Sequence, residues 1–221
     1  MEAHLDVQIM SLQAIFSLLQ EHGLDYPNYY TRLYDLLRPQ FHNGKKEQGT
    51  VAGQTLSIFS MGKGSQMAEQ KARFLTLLDL SLRSDKLPSK TVAAFIKRLA
   101  RSIAGLGCCC AQEDMLYVLG LIANLMKRHP RCIRLIHRAK KTRQVEDCEF
   151  SCDPYRADEP DPLKSRALRS CLWELESLLH SSLDEKVRHF IKSNFMGDLT
   201  RKTEFFRVEE SLPKMNVETT C

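Results

Sequence analysis

The sequence predicts an all-α protein. Apolar residues recur at steps of three and four positions along most of the 221-residue chain, which is the spacing of an amphipathic helix. No short window alternates apolar and polar side chains in the way that a half-buried β-strand does. Glycine and proline separate the periodic segments, as expected for residues that cap and end helices. With 43% apolar and 27% charged residues, the chain can bury a sizeable core.

The first 41 residues are predicted to form an antiparallel pair of helices. The first helix presents one apolar stripe, formed by Ile9, Leu12, Phe16 and Leu19. Gly23 suits its C-terminal cap, because glycine adopts the left-handed conformation without steric cost. Pro27 opens the second helix and Pro39 ends it.

Residues 42–70 are predicted to be a loop or an insertion. The stretch from His42 to Gln66 contains five glycines and only scattered apolar side chains. Such a composition lacks the periodicity of either regular structure, and the other connections of the chain are short.

Residues 71–196 are predicted to form the main helical domain. A first helix begins near Phe74, and a second has a broad apolar face and ends at two glycines. Met115–Met126 is apolar nearly all round, so we expect neighbours to cover this third helix on most sides. Pro130 ends it. The broad face of the second helix consists of Val92, Phe95, Ile96, Leu99 and Ile103, with Gly105 and Gly107 after it.

The last part of this domain combines an acidic linker with two further helices. Three prolines in Cys148–Pro162 forbid regular structure there, and Asp161–Pro162 has the pattern of an N-cap followed by a first-turn proline. A stripe of Leu168, Leu172, Leu175 and Leu179, with a half-buried Trp173 beside it, predicts one helix. Asp184 to Met196 predicts another, and residues 197–221 are expected to form a polar tail.

The spacing of the helix pairs favours an irregular solenoid of the HEAT or armadillo type. Once the loop is discounted, the pairs begin about 40 to 50 residues apart, which is close to the length of such repeats. A globular multi-helix bundle is the alternative, because the sequence contains no strict repeat.

Charge is distributed unevenly along the chain. The net charge is +5, yet Lys127–Arg143 alone holds eight Lys or Arg and no acid, whereas Glu146–Asp161 holds seven acids and one Arg. At helical spacing, the cations of the basic segment can meet RNA phosphates or an acidic protein; as a solvated face, they can instead pair with the acidic linker. The segment has no aromatic side chains for base stacking, so sequence-specific readout is not expected there.

The sequence contains no motif for catalysis, for a cofactor or for a membrane span. Phosphate-loop, HExxH and Gly-x-Ser-x-Gly patterns are absent, and the longest apolar run is too short to cross a bilayer. Cys148 and Cys152 with His129 and His137 could form a zinc site on paper, but coincidence is the favoured interpretation in a chain with eight cysteines. Without a secretory leader we expect reduced thiols and a soluble intracellular protein with no membrane partner and no small-molecule substrate.

Three segments resemble the CCAAT-binding-factor (CBF) domain family of nucleolar ribosome-biogenesis factors. They are LPSKTVAAFIKRLARSIA from Leu87, LIANLMKRHPRCIRLIHR from Leu121, and DPYRADEPDPLKSRALRSCLWELESLLHS from Asp153. The resemblance covers Arg73–Ser181 and implies a helical, non-catalytic scaffold of the nucleus and nucleolus. It further implies a role in the small-subunit processome, in pre-rRNA processing and small-subunit maturation and export. The implied partners are a nucleolar protein 14-like assembly factor and pre-ribosomal particles, with direct pre-rRNA contact as an open question.

These observations together nominate two sets of contact residues. Candidate contacts to RNA or a partner are Lys97, Arg98, Arg101, Lys127, Arg128, Arg131, Arg134, Arg138 and Lys141. A candidate partner-facing loop contains Asp153, Tyr155, Asp158, Glu159 and Asp161. A generic helical-repeat adaptor is the alternative function, followed by a DNA-binding transcription factor, for which the basic segment lacks an evident Asn or Gln base reader.

Overall fold

The computed structural model describes residues 5–23, 26–38, 40–41, 55–56, 65–106, 111–136, 153–180 and 184–196. The all-α prediction is confirmed. The helices are α1 (Leu5–His22), α2 (Tyr29–Leu36), α3 (Ser65–Leu82), α4 (Ser89–Leu106), α5 (Gln112–Arg128), α6 (Trp173–His180) and α7 (Glu185–Phe195). Two 3-10 turns, Pro130–Ile133 and Ala167–Arg169, and two very short strands complete the described elements.

Helices α1 and α2 form the pair that the sequence predicts. Gly23 follows α1 with φ of 60°, the left-handed conformation expected of a glycine cap. The pair is held to α3 by apolar contacts and by a 2.6 Å hydrogen bond between the hydroxyls of Tyr29 and Ser81, both of which are buried. Ile9 and Leu12 lie in the core, as the stripe predicts.

The segment predicted to be a loop, residues 42–70, contains one short strand and the start of α3. Strands β1 (Gln40–Phe41) and β2 (Thr55–Leu56) pair in an antiparallel arrangement, with Gln40 opposite Leu56. Two-residue strands are too short to show any alternation in sequence. Helix α3 begins at Ser65, earlier than its apolar stripe indicates, because its first turns consist of good helix formers such as Gln, Ala, Glu and Lys instead of core residues.

Helices α4 and α5 lie at the centre of the fold. They pack against each other, α4 also contacts α6, and α5 also contacts α7. From Tyr117 to Met126 every residue of α5 is buried, which confirms that neighbours cover this helix on most sides. The core therefore joins the N-terminal helices to elements near residue 190 through two central helices.

The helical spacing of the cations in the basic segment predicts a helix after Pro130, but the segment does not begin as an α-helix. Pro130 begins a 3-10 turn through Ile133, and α-helical geometry returns only at residues 134–136. Cys132 and Leu135 are the core-facing residues, whereas Arg131 and Arg134 are exposed. Arg138 and Lys141 lie outside the described residues.

Residues 153–172 cross the central helices without forming the predicted leucine-stripe helix. Leu168 lies in the second 3-10 turn, residues up to Leu172 are not α-helical, and α6 begins only at Trp173. The reason is backbone geometry: Arg166 is left-handed, with φ of 58°, and Ser170 is extended, so neither fits a continuous helix. The Asp161 side chain accepts from Leu163 N at 2.9 Å, which makes a local turn instead of a helix cap.

Helix α7 agrees closely with its prediction. Asp184 is its N-cap, and the Oδ1 atom of Asp184 accepts a 3.0 Å hydrogen bond from the backbone N–H of Lys186. Val187, Ile191 and Phe195 face the core at helical spacing.

Candidate functional site

Two of the three cations on α4 that were expected at the surface lie in the interior. The side chain of Lys97 has no accessible surface, and Arg98 is only 2% exposed. Arg101 is partly exposed. These three residues point toward the crossing segment, residues 153–172, and toward Glu174 on α6.

Lys97 is surrounded by acceptors. Its Nζ atom lies 2.8 Å from Glu174 Oε1, 2.9 Å from Glu174 Oε2 and 2.9 Å from Asp153 Oδ2. It also donates to the backbone carbonyl of Cys171. A buried ammonium is tolerated only when its donors are satisfied in this way.

Arg101 extends the same network. Its Nη2 atom lies 2.8 Å from Asp153 Oδ2, and its Nε atom lies 3.2 Å from Glu174 Oε1. We call Lys97, Arg101, Asp153 and Glu174 the buried ion cluster. Its two cations balance its two carboxylates, so the cluster joins α4 to α6 and to the start of the crossing segment without a net charge.

Arg98 forms a second junction, which uses backbone acceptors. Its guanidinium donates to the carbonyl oxygens of Tyr34 at 2.7 Å, Ala157 at 2.7 Å and Glu159 at 3.0 Å. It also stacks on the Tyr34 ring, 3.3 Å from the ring centroid. The hydroxyls of Tyr34 and Tyr155 also share a 2.8 Å hydrogen bond. Arg98 and this pair of tyrosines therefore connect α2 to the crossing segment.

The two carboxylates of the cluster have opposite pKa shifts. Burial alone would raise the pKa of Asp153, but hydrogen bonds from Ser170, Trp173 and Lys97, together with the charge of Lys97, hold it well below the usual range. At Glu174 complete burial is the largest cause and raises the pKa against the opposing influence of Lys97. Asp153 therefore stays charged under all ordinary conditions.

The burial of Lys97 and Arg98 corrects the expectation that they contact RNA or a partner directly. Both are buried, and their N–H groups donate to acceptors that are distant in sequence. Glu174, for example, accepts from Lys97 and lies 77 residues after it. Glu174 and Tyr34 were missed as members of these junctions. The available signal was weak: Glu174 stands between the apolar residues Trp173 and Leu175 at the start of α6.

The remaining basic candidates differ in accessibility. Lys127 and Arg128 are half-buried at the end of α5, while Arg131 and Arg134 are exposed on the segment after it. Burial lowers the pKa of His129, so this neighbour adds no charge at neutral pH. The accessible charge of the described basic segment therefore comes from arginine and lysine.

The predicted partner-facing loop is mostly a structural element. Tyr155 is buried, and Asp153 belongs to the buried ion cluster. The indole Nε1 of Trp173, whose side chain is 43% exposed, donates to Asp153 Oδ2 at 3.0 Å. Of the five nominated residues, Asp158 is the exposed one, while Glu159 and Asp161 are partly buried.

Helix α1 has a second apolar face, which no described element covers. Val7 and Met10 are 54% and 59% exposed, and Leu18 is 44% exposed. With Ala14, which is also exposed, they form a stripe on the side of α1 opposite its core residues. We call Val7, Met10, Ala14 and Leu18 the outer stripe. An exposed apolar stripe of this kind is typical of a protein-binding surface.

Metal clusters, membrane spans and free thiols are the remaining features to consider in the described residues. They contain no group of three or more His, Cys, Asp or Glu placed to hold a metal, and no described helix is long and apolar enough to cross a membrane. Cys132 and Cys171 are free thiols, and burial raises the pKa of Cys132 to about 12, which keeps this thiol protonated. Cys148, Cys152 and His137 of the hypothetical zinc site lie outside the described part of the chain.

Comparison with known proteins reveals extended similarity. The chain matches the CBF/Mak21 family over residues 8–191. It is 40% identical over 172 residues to the nucleolar complex protein 4 homolog of Rattus norvegicus, which covers 78% of this chain and 27% of that protein. The Homo sapiens homolog is 38% identical with the same coverage. An uncharacterized Caenorhabditis elegans protein is 36% identical over 212 residues, 95% of this chain and 35% of that protein. The chain thus spans about a quarter to a third of the length of these relatives.

Proposed function

Since the chain belongs to the CBF/Mak21 family, we propose that it acts as a non-enzymatic assembly factor of ribosome biogenesis in the nucleolus. The observation that carries this proposal is the 36–40% identity to proteins named nucleolar complex protein 4 homolog. The all-α structure is in keeping with a scaffold, because three charged side chains of α4, Lys97, Arg98 and Arg101, hold elements of the fold together instead of forming an active site.

The finer role that we propose is scaffolding within the small-subunit processome, in support of pre-rRNA processing and small-subunit maturation and export. The partners would be a nucleolar protein 14-like assembly factor and pre-ribosomal particles. We further propose that the helices form part of an irregular solenoid, for which the successive packing of α1 on α2 and of α4 on α5 is the support.

We place the protein partner on the outer stripe of α1. One face of α1 already contributes Ile9 and Leu12 to the core, so the outer stripe makes the helix apolar on two opposite sides. Exposure of the outer stripe to water is unfavourable, because apolar surface is more stable when it is buried. A partner helix that packs along α1 would remove this surface from solvent.

The experiment compares pre-ribosome association of the wild-type chain and a variant of the outer stripe. A tagged protein carrying Met10→Glu and Leu18→Glu should sediment in the free fractions of a gradient, while the wild type sediments with small-subunit precursors. Gln13→Glu with Gln20→Glu is the matched control, because it adds the same charge to exposed positions of α1. Wild-type protein that stays free of pre-ribosomal particles would overturn the proposed function.

A second variant tests the basic segment. Replacing Arg131, Arg134, Arg138 and Lys141 by Glu should weaken the association without unfolding the chain, since the two of these residues that the structure describes are exposed. Unchanged sedimentation of this variant would remove the segment from the interface while leaving the outer stripe in place.

A further inference from the structure

A basic cleft lies between the start of α4 and the loop that precedes α6. Its volume is about 520 Å³, and it is lined by the cationic side chains of Lys90, Arg156, Lys164, Arg166 and Arg169. Glu159 is the one acid among the described residues that line it. None of the five cations belongs to the basic segment 127–143, and their scattered positions explain why no charge run marks them in the sequence.

The cations of the cleft are available to a ligand. All five are exposed, and among the described residues no side-chain hydrogen bond or ion pair engages Lys90, Arg156, Arg166 or Arg169. Lys164 has only a solvent-exposed contact, 3.5 Å from Asp161. This arrangement contrasts with Lys97 and Arg98, whose donors are satisfied internally. Five cations with only Glu159 and Asp161 nearby among the described residues leave an excess of positive charge, and like charges repel one another, so a bound anion would lower the free energy of this region.

The loop that carries these side chains is held in one conformation. The backbone N–H of Arg156 donates to the carbonyl of Ser165 at 2.9 Å, and the buried Ser165 hydroxyl donates to the carbonyl of Pro162 at 2.8 Å. Arg166 keeps a left-handed backbone, which is uncommon for a residue with a Cβ atom. Strain of this kind is typical of binding sites, where it fixes the direction of a side chain in advance.

The segment after α5, which bears two exposed arginines, is bonded to the chain segments that form the cleft. The thiol of Cys132 lies 3.6 Å from the carbonyl of Ser89, the residue before Lys90. On the other side, the backbone N–H of Leu172 donates to the carbonyl of Leu135 at 3.0 Å. The segment that bears Arg131 and Arg134 is therefore fixed to both chain segments that form the cleft.

We propose that the basic cleft binds the ribose-phosphate backbone of RNA. Arginine presents its donors in a fork that matches phosphate oxygens, and interfaces with nucleic acid are far more positively charged than protein interfaces. The centre of a protein interface is instead depleted of charge and rich in aromatic residues, and no aromatic side chain lines this cleft. Recognition through phosphates alone is independent of base sequence. The proposed function supplies only the identity of the RNA, a pre-ribosomal one.

The test uses the purified 221-residue chain and a fluorescent single-stranded RNA of mixed sequence. Arg156→Gln, Arg166→Gln and Arg169→Gln are combined in a cleft variant, and binding is measured by anisotropy at several salt concentrations. We expect at least a tenfold loss of affinity at low salt. The slope of log affinity against log salt should fall by about two, since each lost contact to single-stranded nucleic acid removes about 0.7.

The matched control carries Lys186→Gln, Arg188→Gln and Lys192→Gln on α7, which removes the same charge from exposed positions of a helix that packs on α5 and α6. Its affinity should stay within threefold of the wild type. Circular dichroism and thermal melting establish that both variants are folded. Equal losses in the cleft and control variants would mean that only net charge matters, and would overturn the proposal.

Poly-glutamate of matched charge is the competing probe. If it binds the wild-type cleft as tightly as RNA does, the ligand is an acidic protein and the proposal is wrong; absence of RNA binding by the wild type has the same consequence. Failure of the proposed function appears elsewhere, as wild-type protein that does not sediment with pre-ribosomal particles although it binds RNA through the cleft.

Discussion

The ammonium group of Lys97 contacts both carboxylate oxygens of Glu174, at 2.8 and 2.9 Å, and neither side chain has any accessible surface. Two charges withdrawn from water lose their hydration, and their mutual attraction compensates for that loss only when the remaining donors and acceptors are also paired. Asp153, Arg101 and the carbonyl of Cys171 complete that pairing. The contact therefore fixes the position of α6 on α4.

Removal of either partner of this pair should destabilise the fold. Glu174→Gln or Lys97→Met leaves an incompletely compensated buried charge, and we expect a loss of about 3 kcal/mol in the free energy of unfolding for each. The double variant should lose much less than the sum, because neither charge is then left behind. Urea denaturation measures all three variants.

The exposed pair of Arg73 and Glu69 on α3 provides the comparison, with 53% and 39% of the side chains accessible. Glu69→Gln should cost less than about 1 kcal/mol, since solvent screens an exposed pair. Strictly additive losses in the Lys97 and Glu174 variants would show that the two groups are not coupled.

The depressed pKa of Asp153 predicts a specific acid sensitivity. Because its pKa in the folded chain lies below its usual value of 3.8, the carboxylate stabilises the fold fully above that value. The stabilisation is lost as the pH falls below 3.8 toward the lower folded pKa. Glu174 acts with the opposite sign, since its raised pKa favours proton uptake by the folded chain.

Asp153→Asn isolates the first effect. The variant should be less stable than the wild type at pH 7, and the difference between the two should shrink steadily below about pH 4. Trp173, the only tryptophan, donates to Asp153 and so reports unfolding by its fluorescence. A difference that stays constant down to pH 2 would contradict the assignment of Asp153 to the buried ion cluster.

The helical core could be predicted from sequence because its signals are local. The apolar circumference of α5, the Asp184 cap of α7 and the glycine after α1 each depend on residues within a few turns of one another. The start of α6 could not be predicted in this way. The four-residue spacing of Leu168 and Leu172 suits a helix, but the left-handed Arg166 and the extended Ser170 give that segment another path.

The candidate site was harder to predict, because charge type does not reveal where a side chain points. Lys97, Arg98 and Arg101 look like one basic patch in sequence, yet two of them are internal. The groups that accept hydrogen bonds from these three cations lie 52 to 77 residues later in the chain. The exception is the carbonyl of Tyr34, which lies earlier. The cations of the basic cleft were missed for the converse reason: only the fold brings Lys90 to Arg156 and Arg169.

Two glycines with different backbones should respond in opposite directions to alanine. Gly23 is left-handed, so Gly23→Ala should cost about 1 kcal/mol even though open space surrounds the site. Gly105 lies near the end of α4 without a positive φ and also has open space, so Gly105→Ala should stabilise the chain by up to about 1 kcal/mol. Differential scanning calorimetry should give melting temperatures on opposite sides of the wild type.

Arg166 should separate backbone strain from charge. Arg166→Ala and Arg166→Gly remove the same guanidinium, so both should weaken RNA binding equally if the cleft contacts phosphate. Only glycine relieves the left-handed backbone, and Arg166→Gly should therefore be more stable than Arg166→Ala by about 1 kcal/mol. Chemical denaturation and RNA anisotropy on the same two samples measure both quantities. A glycine variant less stable than the alanine variant would mean that residue 166 is not left-handed, and unequal affinities would mean that the loop conformation, beyond the charge, contributes to binding.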